Sequence, residues 1–284
     1  MMPLPAPRPR SFRGRHFALA ALLALGLPLS GHAHRVWLLP SATVHAGQDP
    51  WLTVDAAVSN ELFSFEHVAL RLDGLSITAP DGRPQTVAHT AQGALRNTFD
   101  LKLTQPGTYR IAVLSDQLIA SFKSQGEPRR LRGTAESLAR EIPADAQQLN
   151  VTRSLSRVET FVTAGRPSTQ ALQPVTTGLD LQTRPHPNDL QAGSPATLRF
   201  TLDGRPAAGL NVTVALGGKR YRDQPVEMQL TTDAQGEVQL TWPQAGMYWV
   251  QALPPRDEKN APVGTLAAPV RRASYAVTLE VLPP

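Results

Sequence analysis

Residues Leu101–Val113 read LKLTQPGTYRIAV, and Leu240–Ala252 read LTWPQAGMYWVQA. Set 139 residues apart, Gly107 aligns with Gly246, Tyr109 with Tyr248 and Ile111 with Val250. In each copy a glycine permits a tight entry into a strand. A tyrosine two positions later offers a ring that can fill a core and a hydroxyl that can return to the backbone. Two copies of one such device predict two strand-built domains in a single chain.

The residues on either side agree. RVWLLP, WLTVDAAV, LRLDGLSITAP, NTFDLKL and TYRIAVLS are short, alternating or β-branched, and bounded by Gly, Pro, Asp or Asn. Asp73-Gly74 and Asp81-Gly82 are turn dipeptides. Gly126–Asn150 departs from the pattern, and RLRGTAESLAREIPADAQQL predicts one short helix over 134–141, capped by Thr134 and stopped by Pro143. Strand character resumes at SRVETFVTAG. A Pro-, Gly- and polar-rich stretch over 165–192 contains one strand-like piece, GLDLQT. Beyond it, SPATLRFTLDGRPAAGLNVTVALGG predicts two strands joined around Asp203-Gly204. EMQLTTDAQGEVQLTWP predicts a hairpin across Asp233–Gly236, and YWVQALP and ASYAVTLEVLP supply the last strands.

The twin tyrosines resemble the tyrosine corner of immunoglobulin-like sandwiches. The expected fold is therefore all-β, with two tandem immunoglobulin-like β-sandwich domains and one short helix in the connection of the first. The expected boundaries are 34–172 and 173–284.

Residues 1–33 stand apart. Arg8, Arg10, Arg13 and Arg15 precede the apolar run Phe17–Leu29, and Gly31 and Ala33 occupy the −3 and −1 places of a cleavage site. This pattern predicts a secretory signal peptide removed after Ala33, a periplasmic location and no transmembrane segment in the mature chain. Those four arginines, with no acid beside them, also account for most of the +5 net charge, and the remainder carries about +1. No basic stripe interleaved with aromatics is left to bind nucleic acid.

The chain has no cysteine, which excludes disulfide frameworks, thiolate metal sites and thiol catalysis. No G-x-S-x-G, S-x-x-K, P-loop or G-x-G-x-x-G motif is present, and the expectation is a protein that is not an enzyme. Trp37, Trp51, Trp242 and Trp249 fall in strand-like runs and are expected in the core.

Cleavage after Ala33 would leave His34 as the first residue. A free α-amine and an imidazole on one residue offer two nitrogens to one metal ion, and nitrogen donors suit nickel, cobalt, copper or zinc. His67, in FSFEHVALRLD, is the expected second ligand, with Glu66 or Asp55 as a possible carboxylate. His45, His89 and His186 read as ordinary surface or loop histidines.

Taken together, AHRVWLLPSATV, VDAAVSNELFSFEHVALRLD, EPRRLRGTAESLAREIPADAQQL, HPNDLQAGSPATLRFTLDGRPAAGLNVTV and TTDAQGEVQLTWPQAGMYWVQA resemble a bacterial periplasmic family of unknown function. Some of its members are described as the periplasmic component of a cobalt/nickel transport system. The second half also resembles small exported immunoglobulin-like modules. The resemblance implies an envelope location, the β fold, and sites at His34 and at His67 within FEH. The functional expectation is a periplasmic transition-metal-binding accessory protein working with an envelope transporter or receptor. The alternative is a non-catalytic sandwich module that docks an envelope protein by strand addition. A copper oxidase with an N-terminal histidine brace is a third, more remote reading.

Overall fold

A computed structural model describes residues 34–257 and 259–284. The predicted signal peptide lies outside the described residues. The N-terminal half contributes β1 (Arg35–Pro40), β2 (Val44–His45), β3 (Trp51–Ser59), β4 (Val68–Ala69), β5 (Leu75–Thr78), β6 (Pro84–Gln85), β7 (His89–Gln92), β8 (Asn97–Lys102), β9 (Gly107–Ser124), β10 (Glu127–Gly133), α1 (Ala135–Glu141) and β11 (Gln147–Ala164). The C-terminal half contributes β12 (Leu179–Arg184), β13 (Leu190–Gln191), β14 (Pro195–Leu202), β15 (Arg205–Pro206), β16 (Asn211–Leu216), β17 (Glu227–Thr231), β18 (Glu237–Thr241), β19 (Gly246–Leu253) and β20 (Val270–Leu282).

These strands form three sheets. A five-stranded sheet runs β1-β3-β8-β7, with β4 on β3, and a four-stranded sheet runs β12-β14-β15, with β18 on β14. Between them lies an eleven-stranded sheet ordered β17-β16-β19-β20-β11-β9-β5-β6, with β10, β13 and β2 attached. The two halves share this sheet because β11 and β20 pair in parallel, from Thr152 opposite Val270 to Thr160 opposite Thr278.

Strand alternation assigns each face of the central sheet to a different partner. Tyr109, Ile111, Val158 and Val162 pack with Trp37, Leu52, Val54 and Phe99 of the five-stranded sheet. Phe161, Tyr248, Val250, Tyr275 and Val277 pack with Leu181, Leu198, Phe200 and Leu240 of the four-stranded sheet. Trp249 and Ala276, one position out of phase, cross to the first core. The result is two β-sandwich cores that share a middle layer. The all-β, two-sandwich expectation holds.

Both halves contain the predicted corner. Tyr109 is wholly buried, and its hydroxyl donates to the Gln105 carbonyl at 3.0 Å while accepting from the Gln105 N–H at 2.8 Å. Tyr248 is wholly buried, and its hydroxyl donates to the Gln244 carbonyl at 2.9 Å. Gly107 and Gly246 enter their strands at φ +129° and +140°, a region that side chains with a Cβ avoid. The repeat is thus one backbone device used twice.

The helix also forms as expected. Thr134 caps it in a reciprocal box with Ser137, and Leu138 is its buried residue. The helix covers a third small core of Ala120, Phe122 and Val151 near the far ends of β9 and β11.

Other expectations need correction. The segment from Gly126 is not free of strands. Gln125 and Gly126, both at positive φ, make a two-residue turn, and β10 pairs back onto β9 from Glu127 opposite Ser124 to Gly133 opposite Leu118. β11 begins at Gln147, well before SRVETFVTAG. β14 and β16 are not hairpin partners: Asp203-Gly204 closes only the short β14–β15 hairpin, and β16 belongs to the central sheet. Likewise β17 pairs with β16 and β18 pairs with β14, so Asp233–Gly236 is a corner between sheets. Asp233 fixes that corner by accepting from the N–H groups of Gln235 and Glu237. Trp37, Trp242 and Trp249 are buried, but Trp51 is 54% exposed, because Leu52 takes the inward position of β3.

A buried polar cluster ties the four-stranded sheet to the central one. Arg110 on β9 holds Glu159 on β11 through two hydrogen bonds and pairs with Asp180 on β12. Tyr275 on β20 donates to Glu159, and Arg157 adds a contact at 3.3 Å.

Candidate functional site

His34 lies beside its candidate partner, His67. His34 and His67 are both exposed, and their rings lie stacked, with centroids 4.0 Å apart and planes within 5°. The two residues are 33 positions apart in sequence, so this approach is a product of the fold.

Contacts of the next two residues position His34. β1 starts at the next residue and pairs with β3, with Arg35 opposite Ser59. The Trp249 indole N–H donates to the Val36 carbonyl at 2.8 Å. Arg35 lies over the Trp249 ring at 5.2 Å and pairs with Glu227 on β17 at 2.7 Å. The start of β1 is therefore fastened to the C-terminal half as well as to its own sheet.

His67 sits in the loop between β3 and β4. Glu66 organises that loop: its Oε1 accepts from the N–H groups of Asn60 at 2.5 Å and Glu61 at 2.9 Å. These two backbone donors hold the Glu66 carboxyl below the usual carboxylate range, with smaller help from His67 and Arg220. The loop also packs across the molecule. Phe63 lies so close to Gly217 that a Cβ there would come within 2.3 Å of the ring, and Glu61 faces Arg220 at 3.7 Å. The histidine pair thus stands at the seam between the two halves.

The remaining sequence candidates lie elsewhere. Asp55 faces Arg96 at 3.4 Å; burial pushes its carboxyl up and Arg96 pulls it back in part. His45 bonds the Ala42 carbonyl at 3.1 Å. His89 lies 3.8 Å from Asp100 and near the exposed Trp51. His186 contacts the Thr108 hydroxyl and the Ser168 carbonyl, and its Nδ1 accepts from the Asn188 N–H. Burial pushes its imidazole down. Among the described residues, no three His, Asp or Glu side chains gather in a metal-holding cluster. The side chains of the pair offer two imidazoles.

Residues 31–254 match the model of a protein family described as a domain of unknown function, DUF4198. The chain belongs to the DUF4198 family. The match takes in His34 and His67 of the DUF4198 chain and ends before β20, the strand that joins its two halves. No curated relative matches the chain. Among solved structures it is similar to the D0–D1 domain of intimin, at 14% identity over 85% of this chain and 96% of that one, with a TM-score of 0.20. It is also similar to a DUF4785 family protein from Legionella pneumophila, at 8% identity over 76% and 50% of the two chains, with a TM-score of 0.23. A third is the ICAM-5 D1–D4 ectodomain fragment, at 10% identity over 88% and 51%, with a TM-score of 0.20. At such scores these likenesses carry no functional argument. Among the described residues no helix is long and apolar enough to cross a membrane.

The Gly217–Phe63 contact, the Trp249–Val36 bond and the Arg35–Glu227 pair were not anticipated from sequence. Each joins residues more than 150 positions apart, and no local pattern encodes such a meeting.

Proposed function

We propose that this DUF4198 protein is an exported, metal-binding accessory protein of the bacterial envelope, and that His34 and His67 hold a divalent transition metal. Trimming after Ala33 supplies the α-amine of His34. With the imidazoles of His34 and His67, this makes three nitrogen donors at one exposed point. The observation that carries the reading is the 4.0 Å stacking of those two rings. Nickel, cobalt, copper and zinc all accept such a donor set. Parallel rings aim their lone pairs side by side, so capture needs a tilt of one or both rings. Exposed side chains make that change within nanoseconds. The open, solvent-facing position suits an ion that is received and passed on to an envelope transporter or receptor.

The test is calorimetry on protein whose first residue is His34. One equivalent of nickel, cobalt, copper or zinc should bind saturably. Binding should be lost in His67→Ala and weakened sharply by one extra residue ahead of His34. Absence of heat with all four metals would overturn the reading.

A further inference from the structure

A cleft of about 560 Å³ opens in the C-terminal half, between the connection around Thr169–Pro174 and strand β12. Its size is that of a small-molecule site. One part of its wall is apolar, with Phe161, Leu172, Leu181 and Pro185. The other part carries Gln182, Arg184, Thr197 and Arg199. No carboxylate lines it.

Nine other arginines lie within 4.0 Å of a carboxylate. Arg184 and Arg199 have no such partner among the described residues. Glu237 stands opposite Arg199 across the β14–β18 pair, yet no ion pair forms. The Arg199 Nε and the Thr183 hydroxyl are buried and make no hydrogen bond. Buried donors are ordinarily satisfied, and the unsatisfied Arg199 Nε on the cleft marks a place where a ligand's acceptor belongs.

The register of β12 against β14 sets Gln182 opposite Arg199 and Arg184 opposite Thr197. These four side chains therefore share one face of the sheet, as neighbours. The opposite wall is fixed in advance. The Gln173 carbonyl accepts from Arg110 at 3.4 Å, the Val175 N–H donates to Asp180 at 3.1 Å, and His186 is tied to Ser168 and Thr108.

We propose that this cleft binds a small organic anion, a carboxylate with an apolar body. Arg184 and Arg199 grip the carboxylate, and the body lies against Phe161, Leu172 and Leu181. Arginine presents a planar fork of donors that matches a carboxylate. The site is separate from the histidine pair and does not depend on the metal reading.

Benzoate is a suitable probe, with benzamide as its uncharged counterpart of similar shape. Titration of the full processed protein, followed by calorimetry and by ligand-observed NMR, should show saturable benzoate binding. Benzamide should bind at least tenfold more weakly. Arg199→Gln and Arg184→Gln should each weaken benzoate at least tenfold, while Arg129→Gln, on β10 and outside the cleft lining, should leave it unchanged. Arg184 is exposed, so its variant keeps the test standing should Arg199→Gln fail to fold. Equal binding of benzamide, indifference to both cleft variants, or no binding of benzoate at millimolar concentration would overturn the proposal. Displacement of benzoate by an equal concentration of inorganic phosphate would remove the apolar half of it.

Discussion

Arg110 meets Glu159 in a two-pronged ion pair, at 2.8 and 2.9 Å, where the Glu159 side chain has no exposure to water and that of Arg110 only 5%. Neither charge would be tolerated there alone. Together with Asp180 and Tyr275 they join strands of two sheets, so the pair acts on how the halves are registered as well as on stability. Removing one partner leaves the other charged and dry. Arg110→Met is therefore expected to cost about 3–5 kcal/mol. Chemical denaturation of the variant against the parent protein checks this; a loss below about 1 kcal/mol would show that the charge left behind finds water.

The same pair governs acid stability. Burial pushes the Glu159 carboxyl up, but the charge and hydrogen bonds of Arg110, then Arg157 and Tyr275, outweigh it and hold the group below its usual value of 4.5. The folded state thus releases this proton more readily than the unfolded chain does. Its stabilising contribution is complete above about pH 4.5 and is lost as pH falls through the depressed folded value. Arg153 and Arg271 depress Asp116 and Asp203 in the same direction. Denaturation midpoints recorded downward from pH 6 should hold until about 4.5 and then fall. Glu159→Gln should begin lower and fall less steeply. An equally steep fall in that variant would assign the acid sensitivity to the surface carboxylates.

The two corners invite a paired comparison. Tyr109→Phe removes a hydroxyl that both donates to and accepts from Gln105, whereas Tyr248→Phe removes one that only donates to Gln244. Each variant keeps the buried ring. The expected losses are about 1–3 kcal/mol for Tyr109→Phe and about 0.5–1.5 kcal/mol for Tyr248→Phe. Thermal unfolding of both, with the order reversed, would contradict the bonding pattern described here.

This corner was legible in the sequence because it closes within five residues, and a glycine and a tyrosine at fixed spacing are enough to encode it. The capped helix at Thr134 was legible for the same reason. The sheet assignments of β14 to β18 were not. A turn such as Asp203-Gly204 or Asp233–Gly236 looks the same whether the next strand pairs with its neighbour or crosses to another layer. β10 was missed because EPRRLRG offers one inward residue, Leu131, and no alternation; it is a strand because β9 extends beside it. The candidate ligands could be chosen from sequence by the chemistry that a histidine would have as the first residue of the expected trimmed chain. What brings His34 to His67 is tertiary: an indole from β19 and a loop pinned against Gly217.

Trp249 therefore has a predicted effect on β1, far from it in sequence. Trp249→Phe keeps a ring in the pocket but removes the bond to the Val36 carbonyl and much of the face under Arg35. The lost hydrogen bond should cost about 1 kcal/mol. The start of β1 should loosen first, visible as faster amide hydrogen exchange at Val36 and Trp37 with the rest of the sheet unchanged. Nickel binding should weaken with it, since a wandering His34 must be ordered again on capture. Unaltered exchange at these two amides would show that β3 alone holds the first strand.

Glu66 separates an ordering role from a ligand role. Its Oε1 is occupied by two backbone N–H groups, and its ionised form is favoured by them. If its work is to hold the loop, Glu66→Ala should weaken nickel binding by about tenfold, in line with loss of a partner that orients a ligand. Glu66→Gln, which retains an acceptor for the same amides, should recover most of that loss. His67→Ala should abolish binding instead of weakening it. A carboxylate that bonded the metal directly would give the other result: Glu66→Gln would be as damaging as Glu66→Ala, because an amide is a far poorer ligand than a carboxylate for these ions. Titrating the three variants side by side by calorimetry, at one pH and one buffer concentration, distinguishes the two roles.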